Sequence, residues 1–127
     1  MNRVVIGVGS NIDPEENIAA AREMVAQEFR FLGASRLRRT APIGTTDQPH
    51  FLNGAFLVET ELDRGKLKER LLAIEARLGR VRTPDRSGPR TIDLDPVVFN
   101  DEIVDPDYDD RDFLRAAVQE LLPRFPR

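Results

Sequence analysis

The chain has no cysteine, so disulfides and thiolate metal sites are excluded. It has one histidine, which rules out a histidine-rich metal centre. It also lacks a basic excess: net charge is −3, against the positive field that general nucleic-acid binding requires. No apolar run is long enough to span a bilayer, and Met1-Asn2-Arg3 leads directly into a short strand-like segment. The expectation is a cytoplasmic protein with no nucleic-acid or membrane partner. At 127 residues, 40% hydrophobic and 32% charged, the chain is expected to fold as one globular domain over residues 1–127.

The apolar pattern orders the elements. Arg3 to Val8 is rich in Val and Ile and ends at Gly9-Ser10-Asn11, a strand followed by a turn. Asp13-Pro14-Glu15-Glu16 predicts a helix start with Asp13 as cap, and the helix runs to about Phe29. Ala34–Thr40 and Phe51–Thr60 alternate as strands, joined by a loop with two prolines and a glycine. A second helix starts near Asp63 and carries Leu67, Leu71, Ile74 and Leu78 on one stripe, with Gly79 as its C-cap. A strand over Thr91–Phe99, a turn at Asn100-Asp101 and a helix over Asp112–Leu122 complete the order. The expected fold class is α+β: a ferredoxin-like βαββαβ sheet with helices on one face, plus a C-terminal helix. The other sheet face would carry loops and ligand.

The chemistry concentrates between Glu75 and Asp95. Arg80, Arg82, Arg86 and Arg90 fall within eleven residues that include Pro and Gly, directly before Thr91-Ile92-Asp93-Leu94-Asp95. Strand alternation puts Asp93 and Asp95 on one face. Two carboxylates so close repel, and a divalent cation relieves the repulsion. Mg²⁺ takes one or two carboxylates plus phosphate oxygens, and arginines clamp the remaining charge. The pattern therefore points to a polyphosphate ligand. The alternative is a solvated charged loop beside an exposed acidic pair. Pro96 removes a backbone N–H and predicts that this strand is bulged or at an edge. Gly9-Ser10-Asn11 is either a plain turn or a place where backbone N–H groups meet a phosphate. Phe51 and Asn53 offer an aromatic face and a two-sided hydrogen-bonder for a flat heterocycle. His50 reads as an exposed loop residue, and Glu75 as an ordinary exposed acid unless the arginine loop recruits it.

Together these segments resemble the 6-hydroxymethyl-7,8-dihydropterin pyrophosphokinase family of folate biosynthesis. The matching residues are Gly9-Ser10-Asn11, Thr40-x-Pro42-x-Gly44, Asp47-Gln48-Pro49-x-Phe51-Leu52-Asn53, Glu75 with Gly79-Arg80-Val81-Arg82, and Gly88 to Asp95. The resemblance implies a ferredoxin-like transferase that moves the pyrophosphoryl group of ATP to the pterin hydroxymethyl and releases AMP, using two Mg²⁺ ions. It implies Asp93 and Asp95 as metal ligands and, with Arg80 and Arg90, as the catalytic set. It assigns Glu75, Arg82, Tyr108 and Arg111 to the nucleotide, and Thr40, Pro42, Ile43, Phe51, Asn53 and Phe113 to the pterin. The partners would be ATP and a reduced pterin, and the expected state is a monomer. The departures cluster on the nucleotide side: Leu72 for Gln, Ser87 for an aromatic, Pro96 for an aliphatic, Asp107 for His, and a shortened segment before Pro106. A non-catalytic pterin- or nucleotide-binding relative and a bare scaffold with an anion-binding loop remain the competing readings.

Overall fold

The computed structural model describes residues 1–42, 47–81 and 89–126. Its elements run β1 (Asn2–Ser10), α1 (Pro14–Glu28), β2 (Arg30–Ala34), β3 (Arg38–Thr40), β4 (Phe51–Thr60), α2 (Arg64–Arg77), β5 (Asp93–Phe99), β6 (Glu102–Ile103), a short 3₁₀ turn at Pro106–Tyr108, and α3 (Asp112–Leu121). The six strands form one sheet in the order β2-β4-β1-β5-β6, with β3 also on β4. Every pairing among the described residues is antiparallel. Helix α1 crosses from β1 to β2, and α2 from β4 to β5, which is the expected ferredoxin-like arrangement. No helix among the described residues is long and apolar enough to cross a membrane.

Period-two burial divides the sheet. Val4, Ile6 and Val8 of β1 pack with Phe56, Val58 and Leu94 against Ile18, Ala21 and Val25 of α1 and Leu67, Leu71 and Ile74 of α2. On the opposite face Val5, Ala55, Val97 and Val98 pack against Leu114, Ala117 and Val118 of α3. That face is therefore not left to loops alone, because α3 carries its own apolar stripe and packs on it. The part α3 leaves open lies toward Gly7 and Gly9, where β1 has no side chain to fill the space.

Several expected boundaries shift. The run Ala34–Thr40 is not one strand: β2 lies earlier, over Arg30–Ala34, and Ser35-Arg36-Leu37 separates it from β3. Ser35 is buried, and its backbone N–H and hydroxyl bond Ala55 instead of continuing the strand. Asp13 stands at the start of α1 with φ 41° and makes no side-chain cap bond, whereas Asp63 caps α2 by accepting from Lys66 N–H at 2.8 Å. Strand β5 starts at Asp93, not Thr91, and is followed by the short β6. Gly79 lies one residue past the α2 cap, Leu78, with φ 90°. Its N–H bonds Ala76 O, and Arg80 N–H bonds Glu75 O, the paired closure of a Schellman motif.

Candidate functional site

An open cavity of about 380 Å³ lies on the α3 side of the sheet. Its walls include Gly7 and Gly9 of β1, Thr40, Phe51 and Asn53 from β3 and β4, and Asp93 and Asp95 from β5. Arg90, Asp105, Asp107, Arg111 and Phe113 close the other sides. The register explains the convergence: Asp93 pairs with Gly9 and Asp95 with Gly7, so both carboxylates rise beside a glycine-floored strip. A side chain at Gly9 would meet Asn53 Oδ1 at 2.7 Å, so Asn53 would have to give way. Between Val5 and Ile6 the β1–β5 register shifts, next to Pro96. Strand β6 pairs only with Val98 and Phe99, so Pro96 sits at both a bulge and an open edge.

The acidic and basic groups are interlocked. Arg80 Nη1 donates to Asp93 Oδ1 at 3.0 Å and to Glu75 Oε2 at 2.8 Å. Arg90 Nη1 lies 3.4 Å from Asp93 Oδ2, and its guanidinium stands 5.9 Å from the Phe51 ring centroid. Asp95 has its carboxyl pushed up to about 8, first by burial and then by the charge of Asp93, with Glu75 and Asp105 adding to it. Asp105 is also raised, chiefly by burial. Two aspartates on one strand face, one of them too crowded to ionise readily, form an oxygen donor set suited to a hard divalent cation. The carboxylate oxygens of Asp93 and Asp95 thus fit such an ion.

The expected site residues do not all meet. Thr40, Phe51, Asn53, Arg90, Asp93, Asp95, Arg111 and Phe113 share the cavity. Asn53 Nδ2 donates to Thr40 Oγ1 at 2.5 Å, which holds both against the Gly9 floor. Arg80 touches Asp93 from behind the cavity wall. Pro42 is half-buried outside the lining. Tyr108 turns away: it is buried in the α3-side core with its ring edge-on to Phe125, 6.1 Å between centroids. Glu75 is buried at 2% exposure and is no ordinary surface acid. Arg82, Ile43, Gly44, Arg86, Ser87 and Gly88 lie outside the described residues.

Gly9-Ser10-Asn11 has a role the motif did not reveal. Asn11 N–H bonds Arg90 O at 3.1 Å, and its side-chain oxygen accepts from Arg90 N–H at 2.8 Å. Asn11 Nδ2 donates to Gln48 Oε1 and Pro49 O at 2.8 and 3.1 Å. Ser10 Oγ accepts from Ile12 N–H. The strand end is thus a buried clamp joining the loop before Phe51 to the segment carrying Arg90, and the Asn11 N–H is not left for a phosphate. Only the contact partners, distant in sequence, disclose this. Asp105 was also missed; its place next to Pro106 in a short connection carried no signal of a cavity wall.

The sequence profile of the 7,8-dihydro-6-hydroxymethylpterin-pyrophosphokinase family matches residues 5–123. The chain belongs to this family. Among similar proteins, the 2-amino-4-hydroxy-6-hydroxymethyldihydropteridine pyrophosphokinase of Pseudomonas aeruginosa is 40% identical over 108 residues, 83% of this chain and 66% of the relative. The Methylorubrum extorquens protein of the same name is 45% identical over 102 residues, 78% of this chain and 64% of the relative. The Haemophilus influenzae protein of that name is 35% identical over 127 residues, 91% and 79% respectively. The chain therefore spans just under two-thirds of the length of the first two relatives. The family match contains every part of the cavity wall, from Gly7 to Leu114.

Proposed function

We propose that this chain catalyses Mg²⁺-dependent transfer of pyrophosphate from ATP to 6-hydroxymethyl-7,8-dihydropterin, releasing AMP, as a pyrophosphokinase of folate biosynthesis. One observation carries the reading: the Asp93–Asp95 pair, Arg90, Phe51 and Asn53 face a single cavity. The acidic pair would hold the magnesium, with two ions expected, at one end. Phe51, Asn53, Thr40 and Phe113 would hold the flat pterin beside it, with Pro42 and Ile43 bordering that pocket. Arg80, Arg82 and Arg90 would take the triphosphate and Arg111 the nucleotide, whereas Glu75 and Tyr108, which the resemblance assigns to the nucleotide, are buried outside the cavity lining.

The chain's own work is positioning and charge stabilisation, which is most of what pyrophosphoryl transfer asks of a protein. Phe51 and Asn53 orient the pterin so that its hydroxymethyl oxygen faces the β-phosphorus of ATP. That oxygen bonds to phosphorus, the bond to the AMP oxygen breaks, and the hydroxyl proton leaves to solvent or a nearby base. Arg80 and Arg90, already fixed near Asp93, offset the negative charge that shifts toward AMP. Bound between Asp93 and Asp95, magnesium would neutralise phosphate charge and act as a Lewis acid.

A second reading has specific support. Asp107 lines the cavity as an exposed carboxylate, and Tyr108 is buried away from it. Both weaken a nucleotide site, which favours a pterin-binding relative without turnover. Incubation with the pterin, Mg²⁺ and ATP separates the two. AMP and pterin diphosphate formed together support the enzyme. Pterin binding without AMP supports the second reading, and neither outcome leaves only a scaffold.

A further inference from the structure

Glu75 lies in the last turn of α2, yet it is among the most buried side chains of the protein. A carboxylate in that position is costly unless it is charge-paired and hydrogen-bonded. Its Oε2 accepts from Arg80 Nη1 at 2.8 Å and from Leu94 N–H at 2.7 Å. Its backbone carbonyl also accepts Arg80 N–H, at 3.1 Å. Arg80 is thus held by Glu75 at both its main chain and its guanidinium. Leu94 is the residue between Asp93 and Asp95, with its side chain in the helix-side core. One buried carboxylate therefore ties the arginine to the strand that carries both acids. Glu75 does not line the cavity.

We propose that Glu75 is a positioning residue: it locks the Arg80 guanidinium against Asp93 and braces β5 between the two aspartates, without touching the nucleotide. A long arginine side chain samples many rotamers, and a partner that fixes it before substrate arrives removes that cost from the chemical step. Helix α2, Arg80 and β5 meet at this one side chain, so the arginine enters the site at a height set by the helix end.

Glu75→Gln separates the two duties. The amide oxygen still accepts Leu94 N–H, and the volume is kept, but the charge holding Arg80 is gone. In the intact chain, ¹⁵N side-chain NMR should show restricted rotation of the Arg80 guanidinium, assigned by loss of the signal in Arg80→Lys. In Glu75→Gln that signal should average. The kinetic arm rests on the pyrophosphokinase reading above: Glu75→Gln should lower kcat about 10–100-fold with KM for ATP nearly unchanged. Adding it to Arg80→Ala should cost no further activity, because the two act as one unit. An unchanged Arg80 signal in Glu75→Gln, additive losses, or a raised KM with normal kcat would each overturn the proposal. If Glu75→Gln does not fold, Glu75→Asp keeps the charge but shortens the reach, and the same NMR loosening is expected. A wild type without turnover would refute the pyrophosphokinase reading, and the NMR arm would still decide how Arg80 is held.

Discussion

Asp95 concentrates the tension of the site. Its carboxyl is raised to about 8 from an ordinary 3.8, so between those values the folded chain binds a proton that the unfolded chain does not. Stability from this group is fully present below the lower value and is lost as pH rises through the upper one. Asp95→Asn should therefore flatten part of the pH dependence and raise the melting temperature of the metal-free protein at about pH 8.5, while abolishing turnover. Magnesium held by Asp95, as proposed, would displace that proton, so it should raise the wild-type melting temperature more at about pH 8.5 than at about pH 6. Thermal melts of both proteins across pH, with and without Mg²⁺, check this; an identical Mg²⁺ effect in Asp95→Asn would remove Asp95 from the metal site. The arginines should divide by contact. Arg80→Ala and Arg90→Ala should each slow the single-turnover step by roughly 10²–10³, with smaller effects on ATP binding. Arg86→Ala should cost less than either. Asp93 accepts from both Arg80 and Arg90, the two arginines to which the family resemblance assigns a catalytic role.

The end of α2 shows how an element delivers a side chain. Its stripe of Leu67, Leu71 and Ile74 was plain from helical spacing, and all three are buried. Gly79, at φ 90°, turns the chain so that Arg80 folds back over Glu75. An alanine there occupies open space but must adopt a left-handed backbone. Gly79→Ala should cost about 1 kcal/mol in urea unfolding and also slow transfer, because Arg80 is displaced. A stability loss with full single-turnover rate would show that the turn does not aim Arg80. The first strand ends in a second such device. Asn11→Ala removes the partner of the part-buried Arg90 N–H and of the Pro49 carbonyl, which should cost about 1 kcal/mol. Chemical denaturation measures it. This clamp was illegible in sequence because its partners lie about 40 and 80 positions away, beyond the reach of any local pattern.

On the proposed reading, the cavity joins a pterin side that keeps the family's residues to a nucleotide side that departs from them. Phe51, Asn53 and Thr40 meet as expected, so a reduced pterin should bind without ATP; calorimetry showing no heat with or without a non-hydrolysable ATP analogue would remove that claim. Asp107 is exposed at the cavity wall, with its carboxylate 4.0 Å from Arg111, so it draws on a cation that phosphate would otherwise use. Asp107→His should tighten ATP binding by about tenfold, and more at low ionic strength. Tight, adenine-selective binding by the wild type, unimproved by the substitution, would mean a different nucleotide site. Fold class followed from local pattern: strand alternation, the α2 stripe and the helix order all act over a few residues, so short-range physics was enough. The Asp93–Asp95 face was legible for the same reason, since two residues along a strand share a side. Burial of Glu75, rotation of Tyr108 into the core, the break at Ser35 and the Asn11 clamp were set by packing between distant segments. Each depends on which neighbour removes water or supplies a partner, and that is decided only when the sheet, α2 and α3 come together.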